Sequence, residues 1–281
     1  MGHAKFHAAG RFGVRAMTNP VARHVSLLFD AIRFYSRIPV PALPWEIDPH
    51  AVPDFRILPR VLPLAALLIA LPSALVLAAG SAAGLPPYIA AALGVTTGLL
   101  ATGAMHEDGL ADTVDGFGGG HTVERRLEIM ADSRTGAYGV AALVMMLVIR
   151  TLVLGEMIGD FGGLAAVLSL LASAILSRVL GLMPLVLLPP ARPGGRSASV
   201  GKPSFGSMVI AVLGALALST VLLFFGHYSP LGIGLAVMAS IVSVVPVLLL
   251  SKRLIGGQTG DVAGATQQVA DGVMLVALLV R

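Results

Sequence analysis

Of 281 residues, 56% are hydrophobic and only 12% charged, against about 25% charged in a typical soluble domain, so the composition is that of an integral membrane protein. The apolar content excludes disorder, the 33 Gly and 18 Pro form no repeat of a collagen or low-complexity kind, and the absence of cysteine removes disulfides, a thiolate nucleophile and a cysteine-type zinc site. A net charge of +4 asks for no nucleic-acid partner, because the basic residues read as loops beside anionic lipid.

The first apolar run comes late and is interrupted by Asp30, Arg33 and Arg37, which argues against a cleavable signal. Residues 22–40 read instead as an amphipathic segment on the membrane surface. From Val61 to Met105 there are 45 residues without a charged side chain. One crossing takes about 20 apolar residues, so this stretch predicts two helices, 61–80 and 87–105, with Gly84, Pro86 and Pro87 at the turn. Segments 137–158 and 162–190 are apolar apart from single charges. From Pro203 to Leu250 only His227 interrupts, which predicts crossings at 206–226 and 231–250 hinged at Gly226 to Pro230, and 263–280 is a weaker last one. The expected fold is an all-α polytopic membrane bundle of about seven transmembrane helices with an amphipathic N-terminal segment.

Lys and Arg orient it. Eight of the nineteen lie in residues 1–60; the 106–136 loop has Arg125, Arg126 and Arg134, the 191–205 loop Arg192, Arg196 and Lys202, and the 251–262 loop Lys252 and Arg253. These segments fall on one side, opposite turns without Lys or Arg, and the positive-inside rule makes that side cytoplasmic.

Seven of the 15 acidic residues (Glu107, Asp108, Asp112, Asp115, Glu124, Glu128 and Asp132) fall within 26 residues. A charge run is usually a solvated loop, but spacing argues otherwise. If helix continues past Met105, Asp108, Asp112 and Asp115 share one stripe about 60° wide. Three like charges there repel unless a cation or protonation compensates, and hard oxygen donors suit Mg²⁺ or Mn²⁺. Thr122 can cap a short helix reaching about Arg134, ended by Gly136, and so bring Asp132 to the stripe across the Phe117 to Gly120 turn. His121 reads as interfacial or capping. His106, at the helix exit beside Asp108, reads as a site residue.

Arg150 and Arg178 fall in apolar stretches, where a guanidinium must be paired, hydrated or snorkelling. Snorkelling suits Arg150; Arg178 wants an anion or a distant carboxylate, such as Asp160 or Asp271. The glycine-rich run Gly256, Gly257, Gln258, Thr259, Gly260, Asp261 opens the last helix and can offer backbone N–H groups to phosphate. Together these features suggest a membrane enzyme with a carboxylate-bound divalent metal and a phosphorylated substrate. A transporter would place its acids at mid-bilayer instead.

The run Thr102 to Gly116, with His106, Glu107, Asp108, Gly109, Leu110, Ala111, Asp112, Thr113, Val114 and Asp115, resembles the signature of the cobalamin synthase (adenosylcobinamide-GDP ribazoletransferase) family. So does Glu128 to Arg134 followed by Gly136. Phe34 to Pro41, and Gly256 to Asp261 followed by Gly264 and Ala265, are similar to that family's terminal motifs. Residues 1–22 then read as an extension, and 23–281 as a single membrane-embedded catalytic domain with cytoplasmic loops 106–136, 191–205 and 251–262.

The resemblance implies a late step of coenzyme B12 assembly in the bacterial cytoplasmic (inner) membrane, in which adenosylcobinamide-GDP is joined to α-ribazole or its 5′-phosphate with release of GMP and a need for Mg²⁺. It implies a metal held by Asp108, Asp112, Asp115 and Asp132, with His106 or one carboxylate taking the hydroxyl proton. Arg134, Arg178 and Lys202 become candidate phosphate contacts, and Gln258, Thr259 and Asp261 candidate substrate contacts. A second copy of the chain is an admissible partner. The competing family is the CDP-alcohol phosphotransferases, but Asp108-Gly109-Leu110-Ala111 is followed here by Asp112 rather than Arg. The other alternative is a corrinoid or metal transporter.

Overall fold

The computed structural model describes residues 20–46, 48–49, 51–192 and 201–280. Among these the chain is helical, with one isolated parallel bridge between Pro190 and Gln258. Expectations for residues 1–19 and 193–200 lie outside the described residues.

Helix α1 (Pro20–Tyr35) is amphipathic and buries Leu27, Ala31, Ile32 and Tyr35, a helical spacing that fits a surface element. An irregular stretch and a 3-10 turn (Leu58–Val61) lead into α2 (Leu62–Ala82). Helix α3 (Pro87–Thr102) opens on Pro87 at its first position and packs against α2. The contact is close because it is lined by small residues: Ser73 Oγ donates to Gly94 O at 2.7 Å, and a Cβ on Gly94 would lie 2.9 Å from Leu77 Cβ. In a bilayer, where lipid is as apolar as leucine, such close packing drives helix association.

The chain then passes through α4 (Met105–Gly119), the short α5 (Val123–Met130), α6 (Ala137–Phe161), α7 (Gly163–Leu180) and the one-turn α8 (Met183–Leu187). It ends with α9 (Phe205–Phe225), α10 (Pro230–Ile255) and α11 (Gly260–Ala277). Thr122, Ser204, Ser229 and Thr259 cap α5, α9, α10 and α11 through their hydroxyls. Helix α7 is buried on nearly every face and packs against α2, α6, α9 and α11.

Helices stand at all seven expected crossings, but among the described residues only five stretches are long and apolar enough to span a membrane: Leu58–Ala82, Ala137–Phe161, Gly163–Leu187, Phe205–Phe225 and Pro230–Ile255. Helix α3, at 16 residues, is shorter than the roughly 20 that a crossing takes. Helix α11 carries Asp261, Gln267, Gln268 and Asp271, and it buries the last three against neighbouring helices instead of meeting lipid.

The expected continuation of helix past Met105 is also corrected. Gly103 and Ala104 both take left-handed backbone, at φ 65° and 56°, and α4 leaves α3 at 88°. Only if the two count as one broken span does the total reach six. With four carboxylates in 15 residues, α4 lies outside the five spans. A Cβ at position 103 would collide with the Arg37 guanidinium, so glycine is required there. Ala104 has no such reason and carries a strain of roughly 1–2 kcal/mol. Ala104→Gly is therefore expected to raise the melting temperature in detergent; an unchanged or lowered value would remove the strain at this bend.

Candidate active site

Asp108, Asp112 and Asp115 do share one face of α4, and the adjoining face, with His106 and Gly109, meets the start of α11 at close range. Glycines make the approach possible: a Cβ on Gly109 would lie 2.9 Å from Asp261 O, and one on Gly264 would lie 3.3 Å from His106 Cα. The crossing brings Asp261, in the first turn of α11, to the aspartate stripe. Burial, followed by the charges of Asp108, Asp261 and Asp115, pushes the Asp112 carboxyl up to about 7. A set of carboxylates that repel one another in this way is ready for a cation. Among the described residues no three His, Asp or Glu side chains are already drawn together as a metal site.

The remaining expected metal ligands have other partners. Asp115, 6% exposed, accepts the Gly136 N–H at 2.6 Å and the Gly139 N–H at 2.8 Å. It thereby caps α6, whose own N-cap residue, Gly136, offers no side chain. A Cβ on either glycine would run into this carboxylate. Asp132 follows α5, which ends at Met130, and Arg134 holds its carboxylate, with Nη2 to Oδ2 at 2.7 Å and Nε to Oδ1 at 3.1 Å. These bonds hold its carboxyl down to about 2. Arg134 itself is well exposed.

His106 is buried and stacks on Tyr35, with ring centroids 5.8 Å apart and planes 9° from parallel. Burial, with Arg178 and Arg150 nearby, holds the imidazole down to about 3, so the ring is neutral. Arg178 is 8% exposed and donates from Nη1 to Ala174 O at 3.2 Å. The aspartate that tempers its charge from a distance is Asp271, not Asp160. Arg150 does not snorkel: it forms ion pairs with Glu107 and Asp271. Lys202 is exposed on a segment tied through Ser204 N to Arg56 O at 3.2 Å.

The glycine-rich run is fastened before it enters α11. Gln258 N donates to Pro189 O at 2.8 Å and Ala191 N to Gln258 O at 2.9 Å, while a Cβ on Gly257 would collide with Pro189 O. Thr259 Oγ1 caps Val262 N and contacts Asp261 Oδ2 at 3.1 Å. Two more bonds close this end of the molecule: Arg126 Nη1 reaches Leu254 O at 3.0 Å, and Arg192 reaches Leu127 O. The described parts of the three expected loops thus gather at one end, beside the acidic face. Sequence reasoning missed the roles of Glu107, Gln268 and the glycine pair Gly109 and Gly264. A polar residue inside an apolar run, such as Gln268 or Asp271, was the available signal.

The cobalamin-5-phosphate synthase family model matches residues 27–279. The chain is similar to the adenosylcobinamide-GDP ribazoletransferases of Azorhizobium caulinodans, at 46% identity over 92% of this chain and 98% of that one, and of Xanthobacter autotrophicus, at 44% over 90% and 95%. The Rhizobium meliloti protein of the same name is 37% identical over 94% and 97%. No solved structure matches.

Proposed function

The chain belongs to the cobalamin-5-phosphate synthase family, and from that premise we propose that it is an adenosylcobinamide-GDP ribazoletransferase whose reaction takes place on the face between α4 and α11. The observation that carries this placement is Asp112, half-buried and opposed by Asp108 and Asp261 where two glycines let the helices touch. In the reaction, a ribose hydroxyl of α-ribazole or its 5′-phosphate attacks the phosphorus that stays with the corrinoid, and GMP leaves.

Mg²⁺ is the metal that hard carboxylate donors fit, and Asp108 and Asp112, facing Asp261, would hold it; when bound it would neutralise the pyrophosphate and the leaving GMP oxygen. The other groups bind and orient. The first turn of α11 offers backbone N–H groups to a phosphate, and Gln258 and Thr259 fix that turn. Arg134 presents a fork that can exchange Asp132 for a substrate phosphate. Asp115 keeps α4 in place by capping α6. The proton of the attacking hydroxyl goes to a carboxylate of the stripe, because burial and the nearby Arg178 and Arg150 make His106 a poor base. Arg178, buried in the bundle, balances the charges of Glu107 and Asp271.

The test is direct. Purified protein in detergent, given adenosylcobinamide-GDP, α-ribazole and Mg²⁺, should release GMP in equal amount to the joined corrinoid. Uptake of corrinoid into proteoliposomes without GMP release would assign it to transport instead.

We place the site on the cytoplasmic side of the bacterial inner membrane, a side supported by the basic loops at this end. The cysteine-free chain allows a clean check. Arg253→Cys, on an exposed position, should resist a membrane-impermeant maleimide in intact cells and react in inverted vesicles. Labelling from outside intact cells would reverse the topology.

A further inference from the structure

Arg150, on α6, reaches carboxylates on two other helices. Its Nη1 lies 3.2 Å from Glu107 Oε1 on α4 and its Nε 3.1 Å from Asp271 Oδ2 on α11. Gln268 Nε2 donates to the same Glu107 oxygen at 3.0 Å, and Gln267 Nε2 donates to Ser177 Oγ at 3.0 Å, which joins α7 to the set. Glu107 and Asp271 are 4% and 1% exposed. Buried ion pairs of this kind add little stability, because desolvation cancels most of the attraction, and apolar or neutral replacements are often tolerated. What such a pair does well is fix a position.

The element that needs fixing is α4. It starts after two left-handed residues, has no side-chain cap and turns 88° from α3, so the chain leading into it does not set its direction. Its far end is held by Asp115 on the backbone of α6. At its near end the charged tie is Glu107, the residue between His106 and Asp108. We propose that Arg150 is a positioning residue: by bridging Glu107 and Asp271 it sets α4 against α11 and so places His106, Asp108 and Asp112 over Asp261. This rests on the reading of that face as the site of reaction.

Arg150→Lys keeps the charge but loses the planar fork that serves two carboxylates. It should insert and melt like the parent. Its kcat should fall about a hundredfold, the scale of a misplacement of roughly 1 Å, with KM for adenosylcobinamide-GDP unchanged. Amide exchange over residues 104–112 should quicken while α6 and α7 keep their protection. A second variant removes the charges of the whole cluster: Arg150→Met and Arg178→Met with Glu107→Gln and Asp271→Asn leaves no buried charge unpaired, because the same two carboxylates also balance Arg178, and it should fold. The same loss of kcat and the same loosening of α4 are expected in it. Wild-type kcat in the folded neutral variant, or unchanged kcat and exchange in Arg150→Lys, overturns the proposal. If the parent itself releases no GMP, the reading of the site has failed instead, and the exchange over 104–112 still decides whether Arg150 holds α4.

Discussion

Asp108→Asn and Asp112→Asn are each expected to lower the rate of GMP release by at least about a hundredfold, the scale of lost transition-state electrostatics. The side chains keep their shape and lose their charge. Neither carboxylate is needed for the fold: Asp108 is exposed, and the charge of Asp112, whose carboxyl is pushed up to about 7, is disfavoured by burial and three like neighbours. Removing a charge there relieves repulsion, so membrane yield and melting temperature should stay at or above those of the parent while turnover falls. Stopped assays at saturating Mg²⁺ with both substrates measure the rate, and a thermal scan of the same preparation measures the fold. Parent-like turnover in both variants would move the reaction away from this face.

Asp115→Ala should behave differently, although Asp115 belongs to the same stripe. Its two oxygens accept the Gly136 and Gly139 N–H groups at the buried start of α6. Alanine leaves both donors without a partner and removes the cap, at a cost of about 2–4 kcal/mol. Melting temperature and activity should therefore fall together. The contrast is the informative part. An Asp115→Ala protein as stable as the parent but inactive would return Asp115 to the chemistry, whereas a loss of stability that exceeds the loss observed in Asp112→Asn fixes it as the hinge between α4 and α6.

Much of this was legible in the residues. The uncharged runs delivered the long helices because the cost of a charge in lipid leaves a mark that can be counted. Thr122 announced its cap, the glycine-rich run marked the opening of α11, and the spacing of Asp108, Asp112 and Asp115 placed them on one face. What escaped has a common cause. Ala104 carries no sign that its backbone is left-handed, so the bend between α3 and α4 was invisible and the second crossing was drawn too long. The partners of Asp115 lie 21 and 24 positions away, and those of Arg150 lie 43 and 118 positions away at Glu107 and Gln268. Helical periodicity speaks only of neighbours within a few turns, so an arginine bridged across three helices looked like one reaching for the interface. The short helix ends at Met130, earlier than its cap and periodicity suggest, and the pairing of Asp132 with Arg134, two residues on, was not foreseen.

We propose that Asp108 and Asp112, opposite Asp261, carry the divalent metal that receives the substrate pyrophosphate. Mn²⁺ in place of Mg²⁺ makes this visible by electron paramagnetic resonance of the purified protein, titrated with and without adenosylcobinamide-GDP. Bound Mn²⁺ whose spectrum changes when the substrate is added is expected, lost in Asp112→Asn and kept in Asp132→Asn. Equal Mn²⁺ binding in the parent and in Asp112→Asn would contradict it.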